Sequence, residues 1–310
     1  MYRLLTSWAM APLSLLTACT APASDMAESR SASGTGPAAS GVFSSERLSI
    51  QVRGSGPDVI LLPGLTSSRR IWEPTVAAVP GYRYHLVQLN GFAGAPVRGN
   101  ASGLVSATAA EEIARYIAEA GLQTPALVGH SMGGAIALMT AARHPDAVGK
   151  VMVVDMLPFM GMMFGPPGAT LETVRATADQ LRDQMAGANG VAWAFVTQQN
   201  MGNMVRSENR RALPIQDAQS SDRGVAARAL HELITTDLRP ELGRITAPVT
   251  VLFVRSPSTK LNEAQTEAVF RASYANLPAA RLVRIPDAYH FIMFDQPDRF
   301  AAEMKTFLAR

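Results

Sequence analysis

The stretch that most restricts what this chain can become is residues 125–134, Pro-Ala-Leu-Val-Gly-His-Ser-Met-Gly-Gly. Ala126 to Val128 read as a short buried strand and Gly134 to Arg143 as a helix of small residues, so the chain must turn sharply between them. The spacing Gly129-His130-Ser131-Met132-Gly133 at such a turn is G-x-S-x-G, which lifts a serine hydroxyl clear of the top of a sheet where a base can reach it. Gly129 and Gly133 remove the Cβ atoms that would clash with the strand and the helix in so tight a bend. A helix that begins directly after Ser131 also aims unpaired N–H groups at any negative charge that develops there. Ser131 is therefore the candidate nucleophile.

Strands and helices alternate around this turn. Leu48 to Val52, Val59 to Leu62, Tyr84 to Leu89, Val151 to Val154, Pro248 to Val254 and Arg281 to Ile285 are apolar or alternating runs bounded by Gly, Pro and polar residues, which is the strand signature. Trp72 with Ala77 to Val79 suggests a first helix, Ala110 to Ala120 carries Ile113, Tyr116 and Ile117 at helical spacing, and a last helix starts near Gln296-Pro297. This alternation predicts an α/β fold, a mostly parallel central sheet with helices on both faces. Between Met156 and Arg239 the strand pattern gives way to helical stretches at Leu171 to Met185, Gly190 to Gln199 and Val225 to Leu233. Pro166-Pro167 breaks this region as a candidate hinge. Its many methionines, with Phe159 and Phe164, either line a pocket for varied acyl chains or fill the region's own core.

Three places together, Leu61-Leu62-Pro63-Gly64-Leu65, the turn at Ser131 and Tyr289-His290-Phe291, resemble the α/β-hydrolase superfamily, in particular its small esterase-like members with a helical cap. The resemblance runs from about Phe43 to the C-terminus. It implies the α/β-hydrolase fold, a cap of about residues 156–239 inserted after the sixth strand, and a Ser-His-acid mechanism on an ester or lactone. His290 takes the role of the base. The loop after Leu62 matches the one that carries an oxyanion donor, with Pro63 in place of the usual histidine, so the N–H groups of Leu65 and Met132 are the implied oxyanion hole. Phe92, Phe159 and Met160 are the candidate substrate contacts, Phe92 equally fitting a core position.

The acid is where the sequence departs from that pattern. No aspartate or glutamate follows the strand ending at Val254 until Glu263, and Ser256 stands where a carboxylate is expected. Asp155, at the end of the strand after the elbow helix, is the first choice. Asp287 is close to His290 along the chain, and Glu263 needs a long loop to fold back. A non-catalytic binding protein that keeps the fold without the acid is the competing reading. Among the five histidines, His85, His144 and His231 read as structural or solvent-facing and His130 as packing. No cofactor and no metal are expected.

Residues 1–18 place Arg3 before an apolar stretch from Trp8 to Leu16, too short for a bilayer span and laid out as a secretory signal. The segment ends Leu16-Thr17-Ala18-Cys19, which resembles a bacterial lipobox and implies lipidation of Cys19. Cys19 is the single cysteine of the chain, which excludes an intrachain disulfide. Residues 19–42, the Cys and a Ser-, Ala- and Gly-rich run, read as a flexible tether to a domain at 43–310. The expected setting is the cell envelope, with a lipid anchor in the outer membrane or at the periplasmic face. A net charge of +3 arises without any Lys/Arg run, so no nucleic-acid partner is expected.

Overall fold

The computed structural model describes residues 43–166 and 168–310 of the 310-residue chain. The signal segment, Cys19 and the tether expected from sequence lie outside the described residues, as does Pro167 of the candidate hinge.

Phe43–Ser44 (β1), Leu48–Gly54 (β2) and Asp58–Leu62 (β3) lead through helix Glu73–Ala78 (α1) to Arg83–Leu89 (β4). Helix Ser106–Glu119 (α2), strand Ala126–His130 (β5), helix Met132–Arg143 (α3) and strand Lys150–Val154 (β6) follow. Next come four helices, Leu171–Gly187 (α4), Gly190–Met204 (α5), Ala212–Gln219 (α6) and Arg223–Thr235 (α7), as an insertion before strand Val249–Phe253 (β7). Helix Glu263–Ser273 (α8), strand Arg281–Arg284 (β8), a short helix Ile292–Asp295 (α9) and helix Pro297–Ala309 (α10) complete the chain.

The strands form one sheet in the order β1-β2-β4-β3-β5-β6-β7-β8. Only the β1–β2 and β2–β4 pairs are antiparallel; from β4 to β8 every pair is parallel. This is the fold expected from the alternation, with the helical insertion after the sixth strand. Successive side chains of a strand face opposite sides, so each strand feeds two cores. On one face Leu127, Val151, Val153 and Val251 pack with α2, α3 and α7; on the other Val128, Met152, Val154 and Leu252 pack with α9 and α10. Ile113, Tyr116 and Ile117 of α2 are all buried, as their helical spacing requires.

The sequence expectations miss three helices for identifiable reasons. In α6, Pro214 reads as a breaker, yet it lies in the first turn, where its missing N–H costs no helical bond. In α8 the start is marked by a reciprocal capping box: Asn262 Oδ1 accepts from Gln265 N–H and Gln265 Oε1 accepts from Asn262 N–H, each at 2.9 Å. The third, α9, is a single turn directly behind His290.

Candidate active site

Parallel pairing places the carboxyl ends of adjacent strands side by side. Leu62 of β3 is opposite Gly129 of β5, His130 is opposite Val154 of β6, and Val154 is opposite Leu252 of β7. The residues that leave these strands, Pro63 to Ser68, Ser131 and Asp155, therefore emerge at one edge of the sheet. That edge is where ligands bind in open α/β sheets.

Ser131 sits at φ 53° and ψ −121°, a conformation that L-residues rarely adopt and that costs on the order of 1–3 kcal/mol. The close approaches that force the bend are visible at the glycines. A Cβ on Gly129 would lie 2.1 Å from the carbonyl oxygen of Gly133, and one on Gly133 would lie 2.2 Å from that of Leu62. Ser131 N–H donates to Val154 O at 2.9 Å, which ties the elbow to the residue before Asp155.

Asp155 has φ 53° as well, and its N–H donates to Leu252 O at 2.7 Å. The turn points its carboxylate along the sheet edge. Oδ1 accepts from Val254 N–H at 3.1 Å and Oδ2 meets His290 Nδ1 at 2.7 Å. The carboxylate is an acceptor only, so Nδ1 carries the proton and Nε2 of His290 is left as the basic nitrogen. Residues 255–262, where the sequence lacks an acid, send no carboxylate to His290; Ser256 Oγ accepts from Ser258 N–H at 3.2 Å in a local turn. The other two acids are engaged elsewhere, Asp287 with Arg206 at 2.7 Å and Glu263 with Arg284 at 2.9 Å.

The loop after β3 presses against the elbow. A Cβ on Gly64 would stand 2.9 Å from His130 Nδ1 and 3.1 Å from the Ser131 Cβ, so only glycine permits this approach without displacement. Gly64 O accepts from Ser67 N–H at 3.1 Å, which closes a turn with Thr66 at φ 57°. Neither Leu65 N–H nor Met132 N–H donates to an acceptor among the described residues, which leaves both free for a ligand.

His130 is buried beneath this arrangement. Its ring centroid is 4.6 Å from that of His290 and 4.5 Å from that of Phe291. Nε2 donates to His290 O at 3.1 Å, while Nδ1 has no partner. Burial above all, then the neighbouring His290, holds its pKa well below the ordinary 6.5, so it is a neutral packing group. His85 bonds Tyr116 Oη at 2.6 Å and Asp58 at 2.7 Å, His144 meets Glu111 at 2.9 Å and His231 meets Asp179 at 3.0 Å. None of these three contacts the sheet-edge group.

The three candidate substrate contacts all lie in apolar packing. Phe92 is fully buried in the core beneath α2 and α7, and Phe159 is fully buried in a small cluster with Val174, Ala178, Leu230 and Ile234 of the insertion. Both pack where apolar neighbours surround them, which is the core alternative the sequence leaves open for Phe92. Met160 borders a cavity of about 10 Å³ with Met156, Leu233 and Leu238, room for about one water. There the methionines fill space. Two buried carboxylates of the insertion, Asp217 and Glu232, are absent from the sequence expectations, because an acidic residue in a helix ordinarily reads as part of its solvated face. Among the described residues no group of three or more His, Cys, Asp or Glu side chains could hold a metal ion. No described helix is long and apolar enough to cross a membrane.

A parallel sheet, a strained serine between its fifth strand and third helix, and a histidine–carboxylate pair at the same edge define the α/β-hydrolase class. The chain belongs to the alpha/beta hydrolase fold family, which it matches over residues 57–297. It is 27% identical over 263 residues to a pimeloyl-(acyl-carrier protein) methyl ester esterase of Aliivibrio salmonicida, covering 83% of this chain and 94% of that one. The enzyme of the same name from Vibrio vulnificus is 26% identical over 264 residues, covering 84% and 97%. Among solved structures, a hydrolase from Pseudomonas aeruginosa superposes with a TM-score of 0.71 at 18% identity, covering 87% of this chain and 98% of that one. The enol-lactonase from Burkholderia xenovorans gives 0.66 at 19%, covering 85% and 97%. These two share the fold.

Proposed function

We propose that this protein is a serine hydrolase that cleaves carboxylic esters or lactones through an acyl-enzyme. The observation that carries the reading is the 2.7 Å bond between His290 Nδ1 and Asp155 Oδ2, at the sheet edge that also bears the strained Ser131. The family membership and the esterase names of the relatives support it.

In this reading His290 Nε2 takes the proton of Ser131 as its hydroxyl attacks the substrate carbonyl, and Asp155 holds the imidazole in the required tautomer and stabilises the imidazolium. The amides of Leu65 and Met132 receive the oxyanion. Each such donor is worth about 100- to 1,000-fold in turnover. His290 then protonates the leaving alcohol, and water activated by the same imidazole releases the acid and restores Ser131. No cofactor enters. The bond from His290 supports Asp155 as the carboxylate that the sequence lacks after β7, and favours this reading over a non-catalytic binding protein.

The direct test is exposure of the protein to a fluorophosphonate, followed by intact mass and peptide mapping. One adduct per chain on Ser131, absent in Ser131→Ala, is the expected result. A folded protein that takes no adduct and turns over no p-nitrophenyl ester refutes the assignment.

The proposed setting is the bacterial cell envelope, with the domain held by lipid on Cys19. The lipobox-like Leu16-Thr17-Ala18-Cys19 supports it. Acyl chains on Cys19 gain about 0.8 kcal/mol per buried methylene, enough to hold a protein at a membrane without a spanning helix. Metabolic labelling with an alkyne fatty acid should mark the wild type and fail in Cys19→Ala. Equal labelling of both would exclude the anchor.

A further inference from the structure

The loop that follows β3 is held from two sides. On the inside Gly64 abuts Ser131. On the outside a residue of the insertion reaches it: Asp217 of α6 accepts, at the same Oδ2, the Ser68 N–H at 2.8 Å and the Ser68 Oγ–H at 2.6 Å. Asp217 is 3% exposed and Ser68 5% exposed, so water does not replace either bond. Burial raises the Asp217 pKa above the usual carboxylate range, and the two bonds from Ser68 oppose that rise. Next to Asp217, Ser221 Oγ accepts from Ala93 N–H at 2.8 Å and lies 3.3 Å from Thr66 O. Beyond Ser68 the chain is fixed again, by the Arg69 N–H donating to Gln88 Oε1 at 3.1 Å.

Between Leu62 and Ser68 the loop's remaining bonds are local, the Thr66 and Ser67 hydroxyls donating to Leu65 O at 2.7 and 3.4 Å, while the Leu65 side chain packs against the sheet core and the insertion's cluster. The loop contains one turn closed by Ser67 N–H, with Thr66 in the left-handed region, and its Leu65 amide has no protein acceptor among the described residues. Its far end is therefore set by where the α6 carboxylate stands. We infer that Asp217 is a positioning residue of the oxyanion site: through Ser68 it fixes the loop bearing Leu65, so that the donor geometry is correct only while α6 is docked. The inference rests on the serine-hydrolase reading, in which Leu65 N–H is an oxyanion donor. The insertion then does more than cover the site; it completes it.

A second buried carboxylate of the insertion serves as the internal control. Glu232 of α7, also 3% exposed, accepts from the N–H groups of Val105, Ser106 and Ala107 at 2.7, 2.8 and 2.8 Å. It clasps the start of α2 and has no bond to the loop. Both carboxylates tie insertion to sheet domain, but one alone touches the oxyanion loop.

The test is steady-state hydrolysis of p-nitrophenyl butyrate by the full chain, with thermal unfolding of each variant. Asp217→Ala should lower kcat about 10- to 100-fold, short of the full loss of a donor, with KM within twofold, because the affected interaction is made in the transition state. Ser68→Ala, which loses one of the two bonds, should lower kcat in the same way but less. Asp217→Asn, which keeps an acceptor oxygen for the Ser68 N–H, should recover most of kcat. Glu232→Gln should lower the unfolding temperature and leave kcat unchanged. If Asp217→Ala fails to fold, Ser68→Ala and Asp217→Asn decide the matter by the same kcat criterion. Unchanged kcat in the Asp217 and Ser68 variants of an active wild type overturns the inference alone. An equal fall of kcat in Glu232→Gln overturns it too, by showing a general effect of docking. A wild type with neither turnover nor a fluorophosphonate adduct overturns the functional reading and this inference with it.

Discussion

The sheet edge and the helical insertion meet at the loop after β3 but are held in different ways. The edge is fixed by backbone: parallel ladders align Leu62, Gly129 and Val154, and Ser131 and Asp155 leave their strands at positive φ. The insertion is held by side chains together with scattered backbone bonds, such as Asp222 N–H to Gly91 O at 2.7 Å and Phe291 N–H to Met204 O at 3.1 Å. Its own core is one small cluster around Phe159, and its ties to the sheet domain include two buried carboxylates, Asp217 and Glu232. Backbone geometry tolerates few residues at each position, whereas apolar packing tolerates many that fill the volume. The difference teaches where chemistry and where adaptability reside in this chain.

The largest effect should come at the edge. Asp155→Asn keeps the shape but cannot hold His290 in the productive tautomer, and turnover of a p-nitrophenyl ester should fall about 10⁴-fold with little change in unfolding temperature. A loss under tenfold would place the acid elsewhere and break the contrast. In the insertion the corresponding change is Phe159→Ala. It removes a fully buried ring over which the Arg239 guanidinium lies at 4.8 Å, and should cost about 3–5 kcal/mol in urea unfolding. The rate at which Ser131 takes a fluorophosphonate should change by no more than a few-fold; a collapse of that rate would mean that the insertion's core and the edge are one unit.

The smallest effect sharpens the comparison through pH. His130 has a folded pKa depressed by burial below 6.5, so between that folded value and 6.5 the unfolded chain binds more protons than the folded one. Its contribution to stability is full above pH 6.5 and is lost as the pH falls through the folded value. The slope approaches about 1.4 kcal/mol per pH unit. Urea unfolding should show stability falling with pH between 6.5 and 5 in the wild type and a shallower fall in His130→Gln, with this term flat above pH 6.5. Identical slopes would show that the buried ring is not the origin.

The same contrast decides what could be read from sequence. Gly129, Ser131 and Gly133 are legible because the elbow demands those residue types at fixed spacing, and His290 because a recognisable loop surrounds it. Asp155 is legible by place, at the end of the strand after the elbow helix, although the expected position after β7 is empty of acids. The mostly parallel sheet with helices on both faces follows from alternation of apolar runs, and α2 from the spacing of Ile113, Tyr116 and Ile117. The insertion resists such reading. Phe92 and Phe159 fit a pocket or a core until their neighbours are known, and the structure buries both among apolar side chains. Asp217 and Glu232 carry no local mark of burial, since their partners, the N–H and hydroxyl of Ser68 and the N–H groups that open α2, lie 149 and about 126 residues away. Of the three missed helices α8 carries the clear local mark, its capping box at Asn262 and Gln265.

The backbone of Ser131 has a consequence for how such a chain changes over generations. A residue held at φ 53° is a standing cost to the folded state, and glycine at that position would relieve it. Selection for thermal endurance alone therefore pulls against a serine here, and the proposed chemistry gives the reason to keep it. If Ser131 is the nucleophile, the bend that exposes its hydroxyl is one of the points at which this lineage would gain stability by abandoning its activity.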